Sequence, residues 1–282
     1  MTLAEPAPFT AGDGLAIRGE VAGEGPPVIL CHGLTATRRS VIHGSRALER
    51  AGHMVVSYDA RGHGESDPAP PGHGYVYPEL VGDLDSVVST TSGDGHYVLA
   101  GHSMGAHTAV AHALTRPERL AGLVLIGPVY VAPASGEELD YWDGLSAALE
   151  QGGVDGFVER IGRLQATDPA WRESVLRFTR ERMLRHRDLG AVAEALRQVP
   201  RSQPFEALDE LEGLSVPALV VASQDDSDPG HPRAVAEAYA ERIPHARLVG
   251  EEAGESPLAW QGGRLSREIA AFCADLDGIA DR

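Results

Sequence analysis

The sequence contains no lysine, and its 24 basic residues are all arginines set against 41 acidic residues. The resulting net charge of −17 repels other polyanions. A nucleic-acid backbone and an anionic membrane surface are therefore excluded as expected partners.

Cysteines and long apolar runs are equally scarce. Cys31 and Cys273 lie far apart, and neither has the spacing of a metal ligand. We therefore predict no metal and no cofactor.

No stretch approaches the roughly 18 consecutive apolar residues of a membrane span, and the first residues lack the basic and apolar regions of a secretory signal. A soluble, cytoplasmic protein is expected, and its oligomeric state stays open.

What the sequence does contain is an alternation of apolar strands and amphipathic helices. Short runs such as PPVIL, MVVSY, YVLAG, LVLIG and ALVVA are apolar throughout. Helical segments separate them, including one predicted over residues 40–52. Strands without polar alternation are typical of parallel sheets covered on both faces. The fold class is therefore predicted as α/β, with a mostly parallel central sheet and helices on both faces.

This alternation is interrupted over residues 132–205, where only helices are predicted. The interruption indicates a helical insertion that splits the sheet domain into residues 1–131 and 206–282. Six arginines lie between residues 172 and 187. They could form a basic wall for an anionic substrate or a solvated helix face with local ion pairs, and the second interpretation is favoured.

The sequence Gly101-His102-Ser103-Met104-Gly105 has the G-x-S-x-G pattern of a nucleophile elbow. An apolar strand precedes it and a helical pattern follows it, which is the context that this motif requires. In such a turn the serine side chain stands exposed above the sheet, at the positive end of a helix. Ser103 is therefore the predicted catalytic nucleophile.

Two backbone N–H groups are predicted to form an oxyanion hole for this serine. The residue after the nucleophile, Met104, would supply one donor. The loop after the strand PPVIL would supply the other through Leu34. His32 at the start of that loop is interpreted as a structural brace.

The segments HGLTAT, YDARGHGESD, GHSMGA and VPALVVASQDD together resemble the α/β-hydrolase superfamily in its capped form. The resemblance implies that residues 132–205 form a helical cap inserted after the sixth strand. It also implies the chain order serine, acid, histidine. By this resemblance Asp226 is the catalytic acid and Asp225 is its neighbour, while Asp228 is less favoured. Asp59 and Arg61 match a structural motif of the family.

The resemblance breaks down at the usual position of the catalytic histidine, where Glu255 stands. Only two histidines follow Asp226. His245 precedes the last strand and is expected at the wrong edge of the sheet, whereas His231 lies on a loop at the edge where ligands bind. His231 is therefore the predicted general base. Glu255 is the alternative, as a carboxyl group with a raised pKa.

The predicted function is a serine hydrolase that acts on small carboxylic esters or related acyl compounds. A serine at the elbow argues against haloalkane dehalogenases and epoxide hydrolases, which use a carboxylate there. Lactones, thioesters, peracids and carbon–carbon bonds remain open as targets, because one triad serves them all. The alternative is a catalytically silent or weakly active ligand-binding protein on the same fold, which the missing family histidine favours.

Overall fold

A computed structural model of the chain describes residues 4–164, 169–224, 228–252 and 260–280. Its centre is an eight-stranded sheet with the strand order β1-β2-β4-β3-β5-β6-β7-β8. The strands are β1 Glu5–Thr10, β2 Ala16–Ala22, β3 Pro27–Cys31, β4 Met54–Tyr58, β5 Tyr97–His102, β6 Leu120–Ile126, β7 Ala218–Ala222 and β8 Ala246–Gly250. Strands β3 to β8 pair in parallel, whereas β2 pairs antiparallel with both β1 and β4.

Helices cover the sheet on both faces. They are α1 Ala47–Arg50, α2 Tyr77–Ser92, α3 Met104–Thr115, α4 Glu137–Leu164, α5 Pro169–Met183, α6 Leu189–Gln198, α7 Arg233–Arg242 and α8 Leu265–Ala280. Alternate residues of β3 point to opposite faces of the sheet and pack in two different hydrophobic cores. Ile29 packs in the core formed with α2, α3 and α7, and Leu30 packs in the core formed with α1 and α8. The predicted α/β class and mostly parallel sheet are confirmed.

The N-terminal hairpin is the part of the sheet that the sequence analysis did not predict. Strands β1 and β2 pair from Glu5 with Val21 to Thr10 with Ala16. Asp13 closes the turn by accepting a hydrogen bond from the Leu15 N–H at 3.0 Å. The hairpin extends the sheet beyond β4, at the end remote from β8.

The helix predicted over residues 40–52 forms only between Ala47 and Arg50. His43 and Gly44 have φ values of 47° and 73°. Consecutive left-handed residues cannot continue a right-handed helix. The first half of the predicted helix is therefore a series of turns.

Helices α4, α5 and α6 lie between β6 and β7 in the chain, and no strand interrupts the described part of residues 132–205. They share a core of their own, in which Leu145, Phe157 and Leu196 are buried. Leu34 packs against the edge of this core. Within the described residues, no helix combines the length and the apolar composition that a membrane crossing requires.

A buried ion-pair network joins the loop after β4 to α2 and to the N-terminal hairpin. Arg61 is 1% exposed and donates to both carboxylate oxygens of Asp83, at 2.8 and 2.7 Å. It also contacts Asp13 at 3.1 Å and Glu79 at 3.0 Å. Burial raises the pKa of Asp83, and the charge of Arg61 opposes that rise. The single guanidinium of Arg61 thus offsets part of the negative charge of three carboxylates.

We expect Arg61→Met to lower the free energy of unfolding by about 3–5 kcal/mol, because it leaves buried carboxylates without their cation. Arg116→Met is the matched control. Arg116 pairs with Asp85 at the surface, and loss of such a pair costs about 1 kcal/mol or less. Urea unfolding followed by circular dichroism measures both values. Equal losses in the two variants would show that the Arg61 network does not stabilise the fold.

Candidate active site

Ser103 lies between β5 and α3 in a strained backbone conformation, with φ 51° and ψ −116°. Its two flanking glycines are required by packing. A Cβ on Gly101 would collide with the backbone of Gly105, and a Cβ on Gly105 would collide with the carbonyl of Cys31. The Ser103 N–H donates to the Ile126 carbonyl at 2.9 Å, which fixes the turn to the end of β6. This is the geometry of a sharp strand-to-helix elbow.

The Ser103 side chain is available for chemistry. The residue is partly exposed, and none of the described residues forms a hydrogen bond with its Oγ. Met104 begins the 12-residue helix α3, so the first backbone N–H groups of that helix surround the serine. Unpaired N–H groups at a helix start favour negative charge nearby.

His231 and Asp228 form a hydrogen-bonded pair on the loop after β7. His231 Nδ1 lies 2.8 Å from Asp228 Oδ2, and the His231 N–H donates to the Asp228 carbonyl at 3.0 Å. Pro229 and Gly230 form the tight turn between them. Among the described residues, Asp228 is the carboxylate that contacts His231, whereas the resemblance favoured Asp226 as the acid. Asp226 lies outside the described residues.

The imidazole of His231 points inward, toward the elbow. A Cβ on Gly127 would lie 3.1 Å from His231 Cδ2, so the ring occupies the space that a side chain at position 127 would fill. The His102 ring is centred 4.8 Å from the His231 ring. Gly127 follows Ile126, to which Ser103 is hydrogen-bonded, and His102 precedes Ser103. The ring of His231 therefore packs against Gly127 and His102, and both of these residues lie next to the turn that carries Ser103.

The protonation of this pair follows from its surroundings. Burial alone would lower the pKa of His231, but the charge and the hydrogen bond of Asp228 outweigh burial and raise it. Burial alone would raise the pKa of Asp228, whereas His231, His102 and Arg182 lower it to about 2. Asp228 is thus a carboxylate at neutral pH and favours the imidazolium form of His231.

Two further histidines near the elbow are held neutral. Burial, together with the charge of His231, lowers the pKa of His102 and of His107 to about 3. His107 Nε2 accepts the N–H groups of Val129 and Tyr130 at 3.0 and 3.1 Å. That nitrogen must therefore carry no proton, which suits a structural residue rather than a base.

The loop that carries Leu34 lies directly beside Ser103. A Cβ on Gly33 would come within 3.3 Å of Ser103 Cβ. Thr35 has a φ of 65°, and the Ala36 N–H closes a turn on the Gly33 carbonyl at 3.0 Å. The loop is thus held in a strained shape at the place where the second N–H donor of an oxyanion hole is predicted.

His32 braces this loop. Its Nδ1 donates to the Gly33 carbonyl at 2.8 Å, while its Nε2 accepts the Ala60 N–H at 2.9 Å. Both ring nitrogens are used, and burial lowers the pKa of His32 to about 3. These contacts fit the structural interpretation of His32.

The remaining predicted residues lie away from this site or outside the described residues. The carbonyl of His245 accepts the N–H of Ala218, the first residue of β7, at 3.1 Å. His245 is therefore at the edge of the sheet opposite Ser103. Glu255 lies outside the described residues.

Asp13, His73 and Glu79 form a group of potential metal ligands whose donor atoms lie within 4.8 Å of one another. Arg61 already contacts both carboxylates of this group, at 3.1 and 3.0 Å. The guanidinium supplies the positive charge that a cation would otherwise supply. The group therefore belongs to the buried ion-pair network of Arg61.

The sequence profile of the alpha/beta hydrolase fold family matches residues 26–261 of the chain. Among curated proteins, epoxide hydrolase B of Mycobacterium tuberculosis is 38% identical over 101 residues, which cover 36% of the chain and 28% of that protein. The sn-1-specific diacylglycerol lipase ABHD11 of Mus musculus is 34% identical over 113 residues, which cover 39% of the chain and 36% of that protein. The matched region thus spans about a third of the length of these relatives.

Solved structures match over almost the whole chain. A thermophilic esterase from Thermogutta terrifontis has a TM-score of 0.78 at 25% identity, covering 96% of this chain and 99% of that one. The esterase EaEST from Exiguobacterium antarcticum has a TM-score of 0.76 at 23% identity, covering 95% and 99%. The likeness to EaEST, at 23% identity, is evidence of a shared fold alone.

The Asp228–His231 pair can be tested without any substrate. We expect Asp228→Asn to lower the pKa of His231, because the carboxylate is what raises it above the ordinary value. Histidine resonances followed by NMR across a pH titration measure the shift, and His231→Gln identifies the His231 signal by its loss. Asp209→Asn is the control, because it neutralises an exposed carboxylate in the short helix Leu208–Gly213 before β7. An unchanged His231 pKa in Asp228→Asn would contradict the pairing.

Proposed function

Because the chain belongs to the alpha/beta hydrolase family, we propose that it is a serine hydrolase of small carboxylic esters. The observation that carries this proposal is the strained elbow at Ser103, with the inward-pointing ring of His231 beside it. Strain of this kind costs about 1–3 kcal/mol and is typical of functional sites. The 25% identical esterase from Thermogutta terrifontis supports an ester as the substrate.

In the proposed reaction, His231 Nε2 takes the proton of Ser103 Oγ as the oxygen attacks the ester carbonyl. Nε2 is free for this role, because Nδ1 is bonded to Asp228. The negative charge that develops on the carbonyl oxygen is stabilised by the N–H groups of Leu34 and Met104. Protonated His231 then gives its proton to the leaving alcohol, which leaves an acyl-enzyme on Ser103.

Hydrolysis of the acyl-enzyme repeats these steps with water as the nucleophile. His231 removes a proton from water, the resulting hydroxide attacks the acyl carbonyl, and the proton returns to Ser103 Oγ. Asp228 stays ionised throughout and stabilises the imidazolium of His231. Asp228 thereby takes the role that the resemblance assigned to Asp226.

We further propose that α4, α5 and α6 act as a cap over the Ser103 site. Leu34 packs against the cap core and also against the cluster that contains Met104. His186, which follows α5, lies 3.0 Å through Nε2 from the carbonyl of Thr35. The cap is thus attached to the loop that supplies the Leu34 donor. It would exclude water from the acyl-enzyme and restrict the size of the substrate.

The nucleophile is tested by covalent labelling. We expect a fluorophosphonate probe to label the wild-type protein once, at Ser103, and not to label Ser103→Ala. Hydrolysis of p-nitrophenyl acetate should disappear in the same variant. Intact-mass spectrometry and nitrophenolate release provide the two readouts. A folded wild-type protein that neither reacts with the probe nor turns over short esters would favour the ligand-binding alternative.

The base is tested by comparing two variants. We expect His231→Ala to lower kcat by a factor on the order of 10³ or more, as loss of a triad member does in other enzymes. Glu255→Ala should lower it far less. Steady-state hydrolysis of p-nitrophenyl acetate measures both, with thermal unfolding as the control for folding. The opposite order would assign the base to Glu255.

The pH dependence gives an independent test of the same residue. Only neutral His231 can accept the serine proton, so kcat/KM should rise with pH through the pKa of His231. Because Asp228 raises that pKa, the midpoint is expected above the unperturbed value of about 6.5. Asp228→Asn should move the midpoint to lower pH while reducing the maximum rate. A midpoint below 6.5 in the wild type would contradict the assignment.

A further inference from the structure

A histidine that follows α5 contacts the loop that carries the predicted Leu34 donor. His186 is buried, and it lies three residues after the end of that helix. Its Nδ1 lies 2.8 Å from the backbone nitrogen of Gly64, and its Nε2 lies 3.0 Å from the carbonyl oxygen of Thr35. One imidazole thus bridges the loop after β4 and the loop after β3.

The hydrogen bonds of His186 fix the position of its proton. The Gly64 N–H can only donate, so Nδ1 must be an unprotonated acceptor. The single proton of the neutral imidazole is then on Nε2 and is donated to the Thr35 carbonyl. The pKa of His186 is lowered to about 3, chiefly by burial, which keeps the ring neutral at pH 7. The ring is therefore a directed donor toward Thr35.

The segment that carries His186 is attached firmly to the sheet domain. The Arg187 N–H donates to the Gly64 carbonyl at 2.8 Å, so residues 186 and 187 bind both backbone polar groups of Gly64. The His186 ring packs edge-on against His63 with the centroids 5.6 Å apart, and His63 packs against His32 at 5.2 Å. A row of three rings thus connects the cap to His32, which braces the same loop as His186.

The turn at residues 33–36, called the oxyanion loop below, is strained. The Ala36 N–H donates to the Gly33 carbonyl at 3.0 Å, so Leu34 and Thr35 are the two central residues of a four-residue turn. Thr35 has a φ of 65°, a value that favours glycine and is unfavourable for a β-branched side chain. A negative φ at Thr35 would relieve the strain. The hydrogen bond from His186 to the Thr35 carbonyl opposes this relaxation.

The conformation of Thr35 affects the direction of the Leu34 N–H. The Gly33 carbonyl and the Leu34 N–H belong to one planar trans peptide, in which they point in opposite directions. His32 Nδ1 and the Ala36 N–H both donate to this carbonyl, at 2.8 and 3.0 Å. A different φ at Thr35 would move Ala36 and break one of these two contacts. The Leu34 N–H would then be held less firmly.

We propose that His186 is a positioning residue that couples the cap to the oxyanion loop of the Ser103 site. By binding the carbonyl of Thr35, it keeps the Leu34 N–H directed at the oxygen that becomes negatively charged in the reaction. This inference rests on the proposed ester hydrolysis and extends it, because the chemical step then depends on a residue of the cap. His186 takes no part in proton transfer.

Two substitutions separate the two contacts of the ring. In His186→Asn the amide oxygen replaces Nδ1 as the acceptor for Gly64, but the shorter side chain does not reach Thr35. In His186→Gln the amide nitrogen replaces Nε2 as the donor to Thr35. We expect His186→Asn to lower kcat and kcat/KM for p-nitrophenyl acetate equally, by about 10- to 100-fold, with KM unchanged. The loss is smaller than the roughly 10²- to 10³-fold effect of deleting an oxyanion donor, and it acts on the transition state alone. His186→Gln should retain most of the activity.

Ser146→Ala is the matched control. Ser146 is fully buried in the cap and donates to the Ala193 carbonyl at 2.7 Å, so its loss removes a buried hydrogen bond that does not involve the oxyanion loop. It should lower the melting temperature and leave kcat unchanged, and thermal unfolding checks that every variant is folded. Equal changes of kcat in His186→Asn and Ser146→Ala, or in His186→Asn and His186→Gln, would overturn the inference.

Hydrogen exchange separates this inference from the proposed function, because it needs no substrate. Mass spectrometry follows the exchange of the backbone amides of residues 33–38 at pH 7. We expect faster exchange in His186→Asn than in the wild type, and exchange like that of the wild type in His186→Gln and Ser146→Ala. That result supports the positioning of the loop by His186 whether or not the wild type hydrolyses esters. Unchanged exchange in His186→Asn would overturn the inference even if esters are hydrolysed.

Discussion

The left-handed backbone of Ser103 is the constraint around which the central strands are arranged. A serine in this conformation needs neighbours that hold it there, and the hydrogen bond from its N–H to Ile126 ties it to β6. The same strand end continues into Gly127, whose missing side chain makes room for His231. One strained residue thus connects β5, β6 and the loop after β7. Ser103 and His231 are brought to the same region by strand pairing rather than by closeness along the sequence.

Much of this fold is readable from the sequence, because buried parallel strands are apolar throughout and leave a clear signal. The elbow was predicted from the G-x-S-x-G pattern, and the helical insertion was predicted from the interruption of that strand signal. The N-terminal hairpin was missed because β1 gives no such signal, having two prolines and mostly exposed residues. Proline is tolerated there because β1 is an edge strand that pairs only with β2. The shortened α1 was missed because the apolar spacing of residues 40–52 suits a helix and does not reveal the positive φ values of His43 and Gly44.

The site was predicted less completely than the fold. His231 could be selected because topology places the loops after parallel strands at one edge of the sheet. The contact between His231 and Asp228 was harder to predict, because the resemblance favoured Asp226 as the acid. A tight turn brings residues three apart face to face, and the spacing Asp-Pro-Gly-His at 228–231 was the available signal. Whether the ring then points inward depends on Gly127, which is remote in sequence.

Several buried histidines near the elbow stay neutral in the folded protein, and they make the stability of the fold depend on pH. His32, His102, His107 and His186 each have a pKa lowered to about 3, chiefly by burial. In the unfolded chain these side chains bind protons near pH 6.5, whereas in the folded chain they do so only near pH 3. Between these values the unfolded state binds more protons, so stability falls steadily as the pH decreases. Ester hydrolysis itself releases acid, so an accumulating product would lower the stability of the fold on which the proposed reaction depends.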